Sequence, residues 1–331
     1  MIMEWLRNIT ENIMMFLMSR IITIPFLKKP FQDLKHPTRS YAMENAMNVR
    51  INVEDDEQIG GWFLQPIDYN GQALPKSDDE QFAESKKDDF LVDRKETVIL
   101  YLHGNAETRA QYHRRALYRL FQKMGYHVLA IDYRGYGDSS KKVPNQTSMV
   151  KDAHAAFNWL NLNSHQDCNI FVWGHSLGTG VTSKLSQELT EKDENEAMEK
   201  FKGIFLEAPF NCMTDEVKSF KLSRILNVLG LDVQDVLEKA DVEFNSTKWL
   251  KYVKKPIFIF HAEDDEVIPF PLAQKMSEDL AQDGVNVEFY PFHTANQKLG
   301  HDGIFLVKNP RYLTEIVPEF VEKALRSKSK L

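Results

Sequence analysis

Eight segments with strand character recur along the chain, and helical stretches separate the later ones. The strand segments are 49–53, 61–66, 97–104, 127–135, 169–174, 203–209, 256–265 and 286–291. The middle segments are continuously apolar, which is typical of parallel strands covered on both faces. Helical patterns fall at 111–123, 147–160, 178–189, 271–282 and 310–326. This alternation predicts an α/β fold with an eight-stranded, mostly parallel sheet flanked by helices, in which the first two strands form a hairpin.

The predicted sheet lies within a domain at residues 45–326, and one insertion in that domain has a different pattern. Residues 211–255 come between the sixth and seventh strand segments and contain amphipathic stretches such as FKLSRILNVLGL. An insertion that leaves a sheet at the carboxyl ends of its strands is a common place for a lid over a site. We therefore expect a helical cap at about 211–255.

The charge and the cysteine content argue against several classes of protein. The net charge is −7 and no basic stretch is interleaved with aromatic residues, which argues against nucleic acid as a partner. The two cysteines, Cys168 and Cys212, cannot form a disulfide framework. No Cys/His cluster has the sequence spacing of metal ligands, so we expect no metal site. We also expect that the protein requires no cofactor and that it is a monomer.

Residues 1–30 form a separate N-terminal segment with an amphipathic helical pattern. Its large apolar side chains fall near one side of a helix: Trp5, Ile9, Ile13, Phe16, Leu17 and Ile24. The apolar run at 13–18 is far shorter than the ~20 residues that a membrane span requires, and Arg20 interrupts its extension. Two interpretations stay open: a helix that lies on a membrane surface, or a helix packed on the surface of the domain.

The C-terminal tail, residues 327–331, ends in Ser329, Lys330 and Leu331. At a free C-terminus, Ser-Lys-Leu is the peroxisomal address and is read by a receptor. The tail therefore predicts a peroxisomal location, with a chance tripeptide as the alternative.

Polar clusters follow four of the predicted strands. In an open parallel sheet, binding and catalytic residues collect at the carboxyl ends of the strands. The clusters span 103–106, 132–137, 174–178 and 261–269, and His301 follows the last strand. The cluster at 174–178, the cluster at 261–269 and His301 therefore place a serine, acidic residues and a histidine, in that order, at one edge of the sheet.

The cluster at 174–178 reads Gly-His-Ser-Leu-Gly, with a strand before it and a helix after it. In that context a Gly-x-Ser-x-Gly turn exposes the serine hydroxyl at the tip of a tight strand-to-helix turn, where larger side chains two residues on either side would clash. We therefore predict Ser176 as a nucleophile, and Gly174 and Gly178 as the residues that permit its turn.

A serine hydroxyl is a poor nucleophile at neutral pH and requires a base. His301 is the best candidate because it lies in the loop after the last strand, and its orienting acid should follow the preceding parallel strand. Asp265 is preferred because the Glu-Val-Ile-Pro that follows it has the expected spacing, and Asp264 is the alternative. His261 and His293 are interpreted as local hydrogen-bonding residues.

An oxyanion hole requires two N–H donors aimed at the negative charge that develops on the substrate. The predicted donors are the main-chain N–H of Leu177, directly after the serine, and that of Asn105 in the loop HGNA. His103 is interpreted as a structural residue of that loop, and the segment DYRGYGDS at 132–139 as a structural turn near the site.

Several segments carry a resemblance to a known family: YLHGNAETRA, GYHVLAIDYRGYGDS, WGHSLGTGV, LEAPFNCMTDE, HAEDDEVIPF and VEFYPFHTANQKLGH. From about residue 45 to 325 the chain resembles the α/β-hydrolase fold, and within it the α/β-hydrolase-domain-containing lipases that act on lysophosphatidylserine and monoacylglycerol. The resemblance implies Ser176 as nucleophile, His301 as base and Asp265 as acid. It also implies a domain in the lumen of the endoplasmic reticulum, although the N-terminal segment here is shorter than that family's membrane span and is broken by Arg20.

The expected function is that of a serine hydrolase that cleaves the acyl ester of single-chain lipids, with a lipid substrate and a membrane surface as partners. A thioesterase acting on acyl-CoA or on S-acylated protein would use the same three residues. A lipid-binding protein without activity is the non-enzymatic alternative, and the intact set of serine, acid and histidine argues against it.

Overall fold

A computed structural model describes residues 10, 12–17, 33–54, 56–67, 91–92, 95–191, 197–219, 231–293, 300–304 and 311–326. Most of the predicted N-terminal helix at 1–30, and the tail that ends in Ser329, Lys330 and Leu331, lie outside the described residues. The predicted cap at 211–255 is described except for 220–230.

The eight predicted strands are confirmed, and each of their ends lies within three residues of its expected position. They are β1 (Ala46–Asn52), β2 (Gln58–Leu64), β3 (Thr97–Leu102), β4 (His127–Asp132), β5 (Asn169–His175), β6 (Phe201–Glu207), β7 (Ile257–Ala262) and β8 (Val287–Phe292).

The helices follow the predicted alternation with the strands. The long ones are α2 (Tyr112–Lys123), α3 (Gln146–Leu162), α4 (Leu177–Glu191), α9 (Phe270–Gln282) and α10 (Arg311–Arg326). The short ones are α1 (Pro37–Tyr41), α5 (Ala197–Lys200), α6 (Met213–Ser219), α7 (Val233–Lys239) and α8 (Ser246–Leu250).

All eight strands join one sheet in the order β1-β2-β4-β3-β5-β6-β7-β8. The pairs β1–β2 and β2–β4 are antiparallel, and the remaining neighbours are parallel. The predicted hairpin and the mostly parallel sheet are therefore confirmed. Because β3, β5, β6, β7 and β8 run in one direction, their carboxyl ends meet at one edge.

Two hydrophobic cores cover the two faces of the sheet. On β3, Val98, Leu100 and Leu102 belong to the core that includes side chains of α3, α4 and α9. Ile99 and Tyr101 face the other core, with side chains of α2 and α10. Burial on both faces explains why the strand segments are continuously apolar rather than alternating.

The insertion between β6 and β7 is helical in its described part, where it forms α6, α7 and α8. Its apolar side chains join the same core as α4, as shown by the burial of Val217, Val236 and Leu250. Packing against α4 is close, since a Cβ atom added to Gly180 would lie 2.8 Å from Cδ1 of Phe244. The described part of the insertion is therefore built into the domain.

The described fragment of the N-terminal segment is helical at residues 12–17. Met14 is buried against the core, whereas Ile13 is 53% exposed and Leu17 is 41% exposed. This fragment therefore has one side that packs on the domain and another that faces solvent. Within the described parts of the chain, no helix has the length and apolar character needed to cross a membrane.

Candidate active site

Ser176 lies at the tip of the turn between β5 and α4, at the carboxyl edge of the sheet. Its φ is 53°, in the left-handed region that residues other than glycine rarely adopt. The turn is held by hydrogen bonds on both sides of the serine: its N–H donates to the Glu207 carbonyl at 2.9 Å, and its carbonyl accepts from Thr179 N at 2.8 Å. A strained residue that its surroundings hold in place is a common feature of functional sites.

The two predicted glycines leave no space for a side chain. A Cβ atom added to Gly174 would lie 2.5 Å from the carbonyl oxygen of Gly178. One added to Gly178 would overlap the carbonyl oxygen of Leu102 and lie 2.8 Å from that of His103. Both glycines are therefore required because the turn packs on itself and on the end of β3.

His301 and Asp265 complete a hydrogen-bonded chain with the serine. Ser176 Oγ donates to His301 Nε2 at 2.8 Å, and His301 Nδ1–H donates to Asp265 Oδ2 at 2.8 Å. The three residues, called the Ser176 centre below, are separated by up to 125 positions in sequence. This geometry allows the histidine to accept the serine proton while the carboxylate fixes its tautomer.

The structure distinguishes the two candidate acids. Asp265 contacts the imidazole through Oδ2, while its Oδ1 accepts from the N–H groups of Val267 and Ile268 at 2.8 and 2.9 Å. Asp264 instead accepts from the N–H of Gly300 at 2.9 Å and so anchors the loop that carries His301. The two neighbouring carboxylates therefore have different contacts, and only Asp265 is in contact with the imidazole.

His261 is a further residue of the site that the sequence did not identify as such. It is interpreted above as a local hydrogen-bonding residue, and its Nε2 does lie 3.1 Å from the Ile268 carbonyl. The same Nε2 also lies 3.2 Å from Oδ2 of Asp265. Its position at the end of β7, four residues before Asp265, was the available signal. His293 behaves as interpreted, with Nδ1 2.7 Å from Glu263 Oε1.

Burial and hydrogen bonds shift the pKa values of Asp265 and His301 in opposite directions. Burial raises the pKa of the Asp265 carboxyl, but hydrogen bonds from His261 and His301 outweigh it and hold the pKa below its ordinary value. Burial lowers the pKa of His301, but the hydrogen bond to Asp265 and its negative charge, with smaller effects of Asp302 and Glu207, raise it above the ordinary value. An ionised acid therefore supports a histidine that readily takes a proton.

The loop after β3 passes directly beside the nucleophile. A Cβ atom added to Gly104 would lie 2.9 Å from Cβ of Ser176. Asn105 follows this glycine, and its side-chain oxygen accepts from the Tyr136 hydroxyl at 3.0 Å. Leu177 is the first residue of α4, where main-chain N–H groups have no partner within the helix. Both predicted oxyanion donors therefore belong to segments adjoining the serine.

Arg114 fixes the far end of that loop and was not identified from the sequence. Its guanidinium donates to the carbonyls of Thr108 and Ala106, each at 2.8 Å, and the residue is 2% exposed. A buried arginine in α2 thus closes the loop that carries Asn105. No signal in the sequence indicated this contact, because arginines at exposed helix positions are common and only the packing of α2 shows that this one is buried.

The segment DYRGYGDS forms a structural turn, as interpreted. Its Asp132 accepts from the main-chain N–H of Arg109 at 2.6 Å and also from the Arg109 guanidinium, and it lies 3.4 Å from His103 Nε2. His103 is fully buried and its Nδ1 contacts the Gly104 carbonyl at 2.6 Å. These contacts connect the end of β4 to the loop after β3.

His175 connects the nucleophile strand β5 to the base loop, residues 300–304, which carries His301. Its Nε2–H donates to the main-chain carbonyl of His301 at 3.2 Å, and the centroids of the two rings are 5.0 Å apart. The side chain therefore contacts the backbone of the base rather than Ser176 Oγ.

Two buried carboxyl groups lie near the Ser176 centre. Burial raises the pKa of Glu207 to about 7, and its Oε2 accepts from Trp173 Nε1 at 2.8 Å. Burial also raises the pKa of Glu216 to about 8, and the charges of His301 and Asp265 act on it. Oε2 of Glu216 is buried and lacks a hydrogen-bond partner within the described residues. Because Glu216 belongs to α6, the insertion contributes a buried polar group near the Ser176 centre.

A separate cavity of about 650 Å³ lies between β1 and α3, and its lining includes Arg50, Lys151 and Trp159. It contains no residue of the Ser176 centre, so its size carries no information on the substrate of that centre. The edge of the parallel strands, where the hydrogen-bonded residues converge, is the candidate active site.

Comparison with known proteins identifies close relatives. Lysophosphatidylserine lipase ABHD12 of Mus musculus is 34% identical over 314 residues, which cover 92% of this chain and 74% of that protein. The protein of the same name from Xenopus tropicalis is 34% identical over 333 residues, covering 93% and 81%. Protein ABHD12B of Homo sapiens is 31% identical over 276 residues, covering 82% and 72%.

Solved structures agree on the fold. An esterase of Pyrococcus furiosus is similar with a TM-score of 0.59 and 19% identity, covering 91% of this chain and 97% of that chain. An α/β-hydrolase of Vibrio vulnificus has a TM-score of 0.61 and 17% identity, covering 91% and 96%. The model of the family described as serine aminopeptidase, S33, matches residues 93–251. Since its relatives match over most of both chains, this protein belongs to the ABHD12 family of α/β-hydrolase lipases.

Proposed function

We propose that this protein hydrolyses the acyl ester of lipids with a single acyl chain, with lysophosphatidylserine and monoacylglycerol as the substrate classes. The observation that carries the proposal is the hydrogen-bonded chain from Ser176 Oγ through His301 to Asp265, with both distances at 2.8 Å. The relatives named lysophosphatidylserine lipase support the choice of substrate.

The reaction would proceed through an acyl-enzyme. Ser176 Oγ attacks the carbonyl carbon of the ester while His301 Nε2 accepts its proton, and the negative charge that develops on the carbonyl oxygen is held by the N–H groups of Asn105 and Leu177. His301 then gives the proton to the departing alcohol oxygen. Water, deprotonated by the same nitrogen, attacks the acyl-enzyme and releases the fatty acid. No step requires a metal or a cofactor.

The insertion supplies two features that suit such a substrate. Its apolar side chains line the same side of the sheet as α4, and this supports contact with an acyl chain. The buried carboxyl of Glu216 supports contact with the polar head group, since its Oε2 has no hydrogen-bond partner among the described residues and can bind a hydroxyl or an ammonium group. We therefore assign the cap at 211–255 to substrate selection.

The direct test compares fatty-acid release from lysophosphatidylserine, monoacylglycerol and acyl-CoA with matched acyl chains. Wild type should release fatty acid from the two esters faster than from acyl-CoA, and Ser176→Ala should lose activity by about 10⁴–10⁶-fold while folding normally. Retention of turnover in Ser176→Ala would contradict the proposed nucleophile. Preference for acyl-CoA would favour the thioesterase alternative, and no release from any of the three by folded wild type would favour lipid binding without activity.

We also propose that residues 1–30 bring the protein to a membrane surface. The exposed side chains of Ile13 and Leu17 on the described helical fragment support this assignment. Deletion of 1–30 should reduce binding to liposomes more than it reduces hydrolysis of a soluble ester. Equal binding of the two forms to liposomes would contradict the proposal.

For location within the cell, the family resemblance favours the endoplasmic reticulum and Ser329-Lys330-Leu331 favours the peroxisome. Removal of Leu331 from the tagged protein distinguishes them, because a peroxisomal pattern would disperse and a pattern of the endoplasmic reticulum would not change. The protein is expected to be a monomer, which light scattering of the purified chain would check.

A further inference from the structure

We infer that His113, His175 and Asp302 form a binding site for a divalent transition-metal ion, with Zn²⁺ as the best match, and that its occupation inhibits the enzyme. The three residues come from α2, the end of β5 and the base loop, and they meet beside the Ser176 centre. Binding of the ion does not depend on the proposed function, whereas inhibition of the enzyme by the ion rests on that function.

Two of the separations between candidate ligand atoms are close to those of a tetrahedral site. Oδ1 of Asp302 lies 3.5 Å from His113 Nε2 and 3.6 Å from His175 Nε2, and the three residues each offer one ligand atom within 4.8 Å of the other two. In a tetrahedral zinc site with bonds of about 2.0–2.1 Å, neighbouring ligand atoms are about 3.3–3.5 Å apart. Small side-chain movements would therefore complete the coordination.

The chemistry and the access also fit an ion. His113 Nε2 is buried and has no hydrogen-bond partner among the described residues, so its lone pair can coordinate a metal ion. The side chain of Asp302 is 54% exposed and gives an ion a route from solvent. Two imidazoles and one carboxylate favour Zn²⁺, with water in the fourth position.

Two features make this site weaker than a structural zinc site. His175 Nε2–H donates to the His301 carbonyl at 3.2 Å, so metal binding requires that proton to move to Nδ1, which is buried and has no partner within the described residues. The loss of such outer partners typically weakens metal affinity by about 10–100-fold. The positive charge of Arg114 also acts on both rings. We therefore expect reversible binding rather than a resident ion.

An ion at this position would disturb the base without contacting Ser176. It would take His175 Nε2 away from the main-chain carbonyl of His301, which that contact helps to position. Its charge would also oppose the imidazolium that forms on His301 during ester cleavage, since the rings of His175 and His301 are only 5.0 Å apart. Both effects reduce the rate of hydrolysis.

The experiment uses the full chain without an affinity tag in buffer freed of metal ions. Calorimetric titration with Zn²⁺ should give one ion per chain, and Co²⁺ should give the visible absorption of a tetrahedral site. Hydrolysis of a soluble ester should fall as Zn²⁺ is added and recover with EDTA. His113→Ala should lose the bound ion and require a Zn²⁺ concentration higher by about tenfold or more for the same fractional inhibition.

His154→Ala is the matched control, because that ring pairs with Glu188 at 2.7 Å and is not part of the cluster. It should bind the ion and be inhibited as wild type is. The inactive Ser176→Ala should also bind one ion, so that binding is measured independently of activity. No ion bound by wild type, or equal binding by His113→Ala, would overturn the site. Binding that depends on His113 but leaves hydrolysis unchanged would overturn the inhibition.

Discussion

The nucleophile turn at 174–178 and the base loop at 300–304 meet in the Ser176 centre, but they are fixed by different means. The turn is fixed by close packing of its backbone on itself and on the end of β3, which leaves no space for a Cβ atom at Gly174 or Gly178. The base loop is fixed by side chains from elsewhere in the chain: Asp264 binds the Gly300 N–H, and Asp265 binds the imidazole of His301.

Because of this difference, substitutions in the turn and in the base loop should have different effects on the protein. The turn depends on packing, so changes there should affect the position of the nucleophile and the stability of the fold together. The base loop depends on charges and hydrogen bonds, so changes there should affect protonation and rate while the fold is kept. Substitutions on each side can test whether the distinction is real.

Asp265→Asn should have the largest effect among the substitutions outside the nucleophile. It removes the charge that fixes the His301 tautomer, and we expect the rate of ester hydrolysis to fall by about 10³–10⁴-fold with little change in thermal stability. Asp264→Asn is the matched control and should retain much more activity, because its carboxyl binds the backbone of the loop at Gly300 and Asp265 binds the imidazole. Steady-state rates of the two variants decide the assignment, and a larger loss in Asp264→Asn would reverse it.

Gly178→Ala should show the combined loss expected of the turn. The added methyl group would overlap the Leu102 carbonyl and lie 2.8 Å from the His103 carbonyl, and relief would require the turn to move. We expect a loss of stability of about 1–3 kcal/mol and a loss of rate of about 100-fold from displacement of Ser176. Chemical denaturation and kinetics on the same sample would measure both. Loss of only one of the two would show that packing and position are not coupled.

Ser176→Gly should stabilise the protein relative to Ser176→Ala. Residue 176 has a φ of 53°, which glycine adopts without the steric cost that alanine and serine bear. The difference should be about 1 kcal/mol in the free energy of unfolding, measured on two inactive variants so that function does not enter. Equal stability of the two variants would mean that the turn is not strained.

Asp302→Asn should have the smallest effect and should act through pH. The charge of Asp302 is one of the influences that raise the pKa of His301, so its removal should lower that pKa. Since the base must be neutral to act, activity appears as pH rises through the pKa of His301, and the acidic limb of the profile of kcat/KM should move to lower pH. An unmoved limb, measured in metal-free buffer, would contradict the role of this charge.

Much of the architecture could be predicted from local patterns. Continuous apolar runs such as TVILYL and NIFVW predicted parallel strands, because a strand buried on both faces has no need for alternation. The position of Ser176 between two glycines was also evident from the sequence, since a strand-to-helix turn that exposes a serine has small residues two positions on either side.

Other features could not be predicted because they depend on contacts between distant segments. The cluster of His113, His175 and Asp302 brings together side chains from three separate elements, and the packing of α2 buries Arg114, which closes the loop after β3. The metal-ligand spacing sought in the sequence was local, whereas these ligands are distributed over α2, β5 and the base loop.

The sequence by itself determined which strand each catalytic residue follows: the serine follows β5, the acid follows β7 and the histidine follows β8. This was possible because parallel strands present their carboxyl ends at one edge whatever their side chains are. The sequence preferred Asp265 by its spacing and left Asp264 as the alternative, and only the tertiary structure shows the contacts that distinguish them. Main-chain N–H groups hold Oδ1 of Asp265 and leave its Oδ2 for His301, while Asp264 accepts from the N–H of Gly300.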